Sequence, residues 1–144
     1  YDLRNLYTAE DMRKKKIMVD MSATLLHHGH IRLLKKASKF GDIIIGLTKD
    51  KQIKNYKGYN PELKFNHRKE ILESIRYVKR VIPSEFFLND KYLRKNKIDL
   101  LIHGSDNKNK VKSVKIKTFN RTKGISSSLL RKKIIKILKK WGQK

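Results

Sequence analysis

The sequence predicts an α/β chain, a doubly wound parallel sheet with helices on both faces in a single domain. Three observations carry this prediction. Short apolar runs alternate with amphipathic stretches from Ile17 to the C-terminus, as strand and helix do in crossover units. The run Asp42–Thr48 is apolar without polar alternation, as a strand covered on both faces must be. At 144 residues the chain has room for one core and no more, and no internal repeat divides it.

The elements follow in order. Ile17–Met21 is a short apolar run read as a buried strand, closed by Ser22, Ala23 and Thr24. Between Gly29 and Phe40, Ile31, Leu33, Leu34 and Ala37 recur at near-helical spacing with Lys and Arg opposite, and Gly41 stops the helix. Asp42–Thr48 is the second strand. Residues 49–65 are polar and contain Gly and Pro, which predicts a long functional loop. Asn66 is placed as the cap of a helix running through Arg76, with Ile71, Leu72 and Ile75 inward. Val78–Ile82 is a third strand stopped by Pro83. A helix around Phe87–Lys95 then leads to a fourth strand, Asp99–Ile102, ending at His103-Gly104. Val114–Phe119 alternates as a strand. Ser126–Trp141 is a basic amphipathic helix, whose face of Leu129, Leu130, Ile134, Ile135, Ile137, Leu138 and Trp141 is expected on the sheet, a partner subunit or lipid. Residues 1–16 read as an N-terminal extension or short helix outside the domain, which occupies 17–144. Ligands of such Rossmann-like sheets bind at the carboxyl ends of the strands, so the loops at 22–30, 48–65, 103–107 and 120–127 are expected to converge.

Charge narrows the ligand. Lys and Arg number 37 against 13 Asp and Glu, a net +24, and the last acidic residue is Asp106. A surface of this kind attracts polyanions and favours a phosphate-bearing substrate. Nucleic acid is disfavoured, because the aromatic residues do not interleave with the basic ones as a stacking platform requires. No apolar run approaches the roughly 20 residues of a membrane-spanning helix. The absence of cysteine excludes disulfides, thiolate chemistry and Cys-based zinc sites. The opening stretch begins with Tyr1 and has no signal-peptide core, so the expectation is a cytoplasmic domain, cut from a longer protein or processed.

Two strings carry chemistry. His27-His28-Gly29-His30 lies between the first strand and first helix, where both His27 and His30 can be aimed at one point. Gly29 lets a phosphate approach the backbone, and the helix N-terminus adds free N–H groups and a positive dipole. Arg121-Thr122-Lys123-Gly124-Ile125-Ser126-Ser127-Ser128 joins the last strand to the last helix, an anion cradle of N–H, hydroxyl and guanidinium groups.

Together these strings resemble the cytidylyltransferase branch of the HxGH nucleotidyltransferase superfamily, whose HxGH and RTxGISTT-like turns stand here as HHGH and RTKGISSS. The segment HRKEILESIRYVKRVIP (67–83) is similar to its counterpart in glycerol-3-phosphate cytidylyltransferases, Lys57-Gly58 to that of the ethanolamine-phosphate and choline-phosphate enzymes, and IDLLIHGSDN (98–107) to their strand-plus-GDD turn. The resemblance implies that CTP and a phosphorylated alcohol give a CDP-alcohol and pyrophosphate. It assigns catalytic roles to His27, His30, Lys57 and Arg121. It assigns nucleotide binding to Ser22, Ala23, Gly29, Arg68, His103, Gly104, Asp106, Thr122, Gly124, Ile125, Ser126, Ser127 and Ser128. It further implies Mg²⁺ accompanying CTP rather than held by protein ligands, and a homodimer, while the basic C-terminal helix by its own residues offers a peripheral membrane contact. An adenylyltransferase of the same fold is the rival enzyme reading, and a catalytically weakened nucleotide-binding regulatory domain the rival outside enzymes. The pattern departs from the family at Thr24, Ser105 and Lys123, where acidic residues are usual. Each change makes the site more positive.

Overall fold

The computed structural model describes residues 14–143. Its elements are β1 (Lys16–Met21), α1 (His28–Ala37), β2 (Asp42–Thr48), α2 (Asp50–Lys57), α3 (Phe65–Glu73), β3 (Val78–Ser84), α4 (Asp90–Lys95), β4 (Leu100–Gly104), β5 (Lys115–Phe119) and α5 (Ser127–Gly142). The strands form one sheet in the order β3-β2-β1-β4-β5, and every neighbouring pair is parallel. Alternating side chains of each strand feed opposite cores. Ile17, Val19, Ile43, Ile45 and Val81 pack with Leu34 and Ala37 of α1 and Leu72 of α3. Met18, Ile44 and Leu101 pack on the other face with Leu88, Leu93 of α4 and Ile98. The predicted doubly wound α/β sheet is thus the fold. Among the described residues no helix is long and apolar enough to cross a membrane.

The chain steps outward from β1 to β2 and β3, then returns to lay β4 on the other side of β1. The carboxyl ends of β1 and β4 are therefore the switch point, where a crevice opens in sheets of this kind. Asp20 and His103 sit there.

Several boundaries differ from the sequence reading. The stretch read as one loop, 49–65, contains α2, anchored by fully buried Ile53 and ended by Gly58 in the left-handed conformation at φ 79°. α3 begins at Phe65, and Asn66 falls inside its first turn. The N–H of Phe65 is satisfied by the Asp50 carboxylate at 3.2 Å, a cap supplied by another helix that local pattern cannot reveal. Ile71 is on the exposed side of α3, while Arg68 and Leu72 are buried. β3 runs through Pro83 because it is an edge strand, where a missing N–H costs no ladder bond. α4 starts at Asp90 with Asn89 as its cap, its side chain accepting from the Tyr92 N–H at 2.8 Å. Residues 1–13 of the expected N-terminal extension lie outside the described residues. Lys16, assigned to that extension, is the first residue of β1 and donates its N–H to the Asp99 carboxylate at 2.8 Å. The later turns of α5 do not pack on the sheet, and no residue of this helix is buried.

Arg68 is a correction with a physical lesson. Expected to touch nucleotide, its side chain is instead 1% exposed beneath the site. Nε donates to the Leu63 carbonyl at 3.0 Å, and the terminal nitrogens to the Ser22 carbonyl at 2.6 Å, the Thr48 carbonyl at 3.0 Å and the Asp50 carboxylate at 2.5 Å. One guanidinium therefore ties the ends of β1 and β2 to the start of α2 and the loop before α3. Replacement strands buried carbonyls without donors, which is costly. Arg68→Met should destabilise the domain by about 3 kcal/mol in urea unfolding. A loss under about 1 kcal/mol would show that those carbonyls find other donors.

Candidate active site

The strand ends open into a cleft of about 610 Å³ that brings together residues far apart in sequence. Its walls include His27, Gly29 and His30 from the β1–α1 turn, Lys57 from the end of α2, and His103 and Gly104 from β4. Arg121, Thr122, Ile125, Ser126, Ser127 and Ser128 line it from the β5–α5 turn, and Ser22, Ala23 and Asp106 complete the set named from sequence. Two named residues are not on its lining. Arg68 lies below it, and Gly124, at φ 79°, shapes the turn from outside.

The HHGH turn is a reciprocal cap. The N–H of Gly29 donates to His27 Nδ1 at 3.1 Å, and the N–H of His27 donates to His30 Nδ1 at 3.2 Å. Each Nδ1 is an acceptor, so each neutral ring carries its proton on Nε2. The ring centroids stand 4.0 Å apart. A Cβ on Gly29 would come within 2.8 Å of the His27 ring, so this position needs glycine for close approach. Burial lowers the pKa of His30 to about 4, helped by the positive charges of Lys57 and Arg121. Burial also lowers His27, with Arg121 again contributing. At neutral pH both rings are uncharged N–H donors. Lys57 and Arg121 line the same cleft as the two rings, and Arg121 contributes to the lowering of both while Lys57 contributes to that of His30. Just before the turn, Ala23 takes a left-handed φ of 46°, strain of the kind that clusters at binding sites.

The cationic imidazole is a different one. His103 Nδ1 is hydrogen-bonded to the Asp20 carboxylate, and its Nε2 lies 3.5 Å from Asp106. Burial opposes its charge, but the bonds to Asp106 and Asp20 outweigh this and push its pKa up to about 9. Asp20, 8% exposed, is satisfied on its other oxygen by Asn109 Nδ2 at 3.0 Å. Asp106 also pairs with Arg121. Its bond to His103, with Arg121 nearby, holds this carboxyl well below the usual carboxylate range. An anion thus already lies between two cations at the mouth of the cleft, and a second anion binding there must compete with it.

Two hydroxyls of the β5–α5 turn make bonds within the fold. Ser126 caps α5, accepting from the Leu129 N–H at 3.0 Å, and Ser127 Oγ donates to the Leu25 carbonyl at 3.1 Å. Sequence reasoning missed Arg131, one turn further on. It donates to Thr24 Oγ at 2.6 Å, pairs with Glu62, and lies 4.5 Å from the Tyr59 ring centroid. Its spacing of four from Ser127 was the available signal, since i and i+4 share a helix face. Asp20 was also missed as a site residue, although a lone carboxylate in an apolar strand run marks a buried polar role. Asn109 and the ring cluster of Tyr56, Phe86 and Phe87, with centroids 4.8–5.2 Å apart, carried no such signal. Among the described residues no three His, Asp or Glu side chains group to hold a metal ion.

Residues 22–133 match the family model described as cytidylyltransferase-like. The glycerol-3-phosphate cytidylyltransferase of Bacillus subtilis (strain 168) is 34% identical over 131 residues, covering 83% of this chain and 97% of that protein. Its namesake from Staphylococcus aureus (strain NCTC 8325 / PS 47) is 34% identical over 128 residues, covering 83% and 95%. Among solved structures, the lipopolysaccharide core biosynthesis protein from Thermoplasma volcanium GSS1 superimposes with a TM-score of 0.67 at 22% identity, over 76% of this chain and 99% of that one, a likeness of fold.

The raised pKa of His103 makes a stability prediction with a definite sign. Its proton-linked contribution is complete below the ordinary value of 6.5 and is lost as pH rises through about 9. The melting temperature should therefore fall between pH 7 and pH 9, and His103→Gln should flatten that fall. An identical slope in the variant would remove His103 from the linkage.

Proposed function

The chain belongs to the cytidylyltransferase-like family, and on that premise we propose that it transfers CMP from CTP to a phosphorylated alcohol, releasing pyrophosphate. The two bacterial relatives are named for glycerol 3-phosphate, which makes this polyol phosphate the first acceptor to assay. The observation that carries the reading is the meeting of the His27 and His30 rings with Lys57 and Arg121 in one cleft.

In the proposed reaction, an oxygen of the acceptor's phosphate attacks the α-phosphorus of CTP in line. The bond from the α-phosphorus to the bridging oxygen breaks, and its electron pair leaves with pyrophosphate. No covalent enzyme intermediate is needed, so catalysis rests on positioning and on stabilising charge as it develops. Neutral Nε2–H groups suit this task. They donate to an oxygen gaining charge without holding the ground-state phosphate as a full cation would. The free N–H groups at the start of α1 add to the same field. Lys57 is a mobile point charge at the end of α2, suited to bridging the acceptor phosphate and the α-phosphate. Arg121, His103 and the Ser126–Ser128 turn are assigned to the β- and γ-phosphates, with the triphosphate displacing Asp106 from Arg121. Mg²⁺ is proposed to arrive on the triphosphate. A homodimer is the proposed assembly.

Pyrophosphate release should require both CTP and a phospho-alcohol. His30→Ala should lower kcat by about 10²-fold or more, the scale of a lost charge-stabilising donor. Full turnover in that variant would remove its role. In titration calorimetry Arg121→Ala should weaken CTP more than CMP. Equal losses for the two nucleotides would move Arg121 away from the β/γ end.

A further inference from the structure

The segment that joins α2 to α3 carries Lys57 at its start. Lys57 and Tyr59 line the cleft, and Glu62, further along, does not. The far end of the segment is fixed, because the Leu63 carbonyl accepts from Arg68 Nε at 3.0 Å and the Phe65 N–H donates to Asp50 at 3.2 Å. The near end is open. A Cβ built on Gly58 would meet nothing within 4 Å. The Lys57 ammonium has no hydrogen-bonded or ion-paired partner among the described residues. A lysine is a point charge on a flexible stem, so its place in the cleft is set by whatever holds the backbone beneath it.

Arg131, one turn into α5, supplies that hold. Its Nη2 donates to Glu62 Oε2 at 2.8 Å and to Thr24 Oγ1 at 2.6 Å, and its Nε bonds the other Glu62 oxygen. The guanidinium also lies 4.5 Å from the centroid of the Tyr59 ring. Both carboxylate oxygens are engaged, the geometry that separates a specific Arg pair from an incidental surface contact. The Arg131 side chain is 22% exposed and that of Glu62 38%, so solvent screens the pair only in part. The start of α5 is in turn bound to the β1–α1 turn through Ser127 and the Leu25 carbonyl. One guanidinium therefore connects the turn that leads into His27 and His30 with two residues of the Lys57 segment.

We infer that Arg131 is a positioning residue, which through Glu62 and Tyr59 sets where the Lys57 ammonium stands relative to His27 and His30. The inference rests on the proposed CMP transfer and adds to it a residue whose work is done on the protein. A direct phosphate ligand would present its fork to the cleft, whereas here the fork is directed to Glu62 and Thr24.

The test places Glu62→Gln and Arg131→Met, singly and together, in the wild-type chain and in Lys57→Ala, with CTP and glycerol 3-phosphate as substrates. In the wild-type background each single change should lower kcat/KM for the acceptor by about tenfold, the scale of a small misplacement at a reacting centre. Glu62→Gln should keep the wild-type Kd for CTP and the wild-type melting temperature. The combined variant should be no worse than either single one, since both break the same pair. In Lys57→Ala neither change should cost anything further. Wild-type kcat/KM in Glu62→Gln overturns the inference, and so does a loss that comes with weaker CTP binding and a lower melting temperature. Losses that add in the combined variant, or that persist in full without Lys57, also overturn it, because Arg131 then acts on the substrates directly. These results in a chain that transfers CMP remove the positioning role alone. Absence of CMP transfer by the wild-type chain removes the reaction itself, and the role with it.

Discussion

The buried guanidinium of Arg68 is the constraint on which the cleft depends. Two parallel strands, β1 and β2, end side by side with carbonyls that meet one buried guanidinium. Ser22 and Thr48 supply those carbonyls, and Arg68 supplies the donors. Its remaining bonds go to Asp50, in the first turn of α2, and to Leu63, in the loop before α3. Asp50 then caps α3 through Phe65, the helix that carries Arg68 itself. The loop of interactions is closed, so α2 and the Lys57 at its end are located by the same knot that finishes the strands. An arginine suits this position because its planar fork serves several fixed acceptors at once, which a lysine point charge does not.

On that platform the cleft separates two kinds of imidazole by environment alone. His27 and His30 are half-buried near cations and turned toward each other, and they remain neutral. His103 stands against two carboxylates at the switch point and remains charged. The same side chain thus provides neutral donors on one side of the cleft and a fixed cation on the other. Asp106 and Asp20 make the difference, and Asp20 is itself stabilised by Asn109, whose side-chain oxygen accepts the Leu88 N–H at 2.8 Å and so ties the loop after β4 to the segment before α4. The departure from the family pattern at Thr24 fits this view. Thr24, 1% exposed, accepts from Arg131, and Glu62 supplies the countercharge from a different loop.

Much of this was legible in the residues. The apolar runs at 17–21 and 42–48 are strands because branched side chains there meet core on both faces. The HHGH and RTKGISSS strings announce their turns because capping and anion binding draw on neighbours in sequence, within three or four positions. What stayed hidden relied on partners far along the chain. α2 was obscured because it buries one residue, Ile53, and otherwise looks like polar loop. The start of α3 was misplaced because its cap comes from Asp50. Arg68 was read as a phosphate ligand because nothing local distinguishes a cation facing a substrate from one facing carbonyls.

The sequence by itself determined the sheet class, the order of the two anion-binding turns, and the residue types able to meet a polyphosphate, because periodicity, capping and glycine requirements are local. Only the tertiary structure decided which histidine is charged, which arginine is buried and which face of α5 is left in solvent. Those properties depend on dielectric surroundings and on neighbours up to a hundred positions away, and no local pattern encodes either.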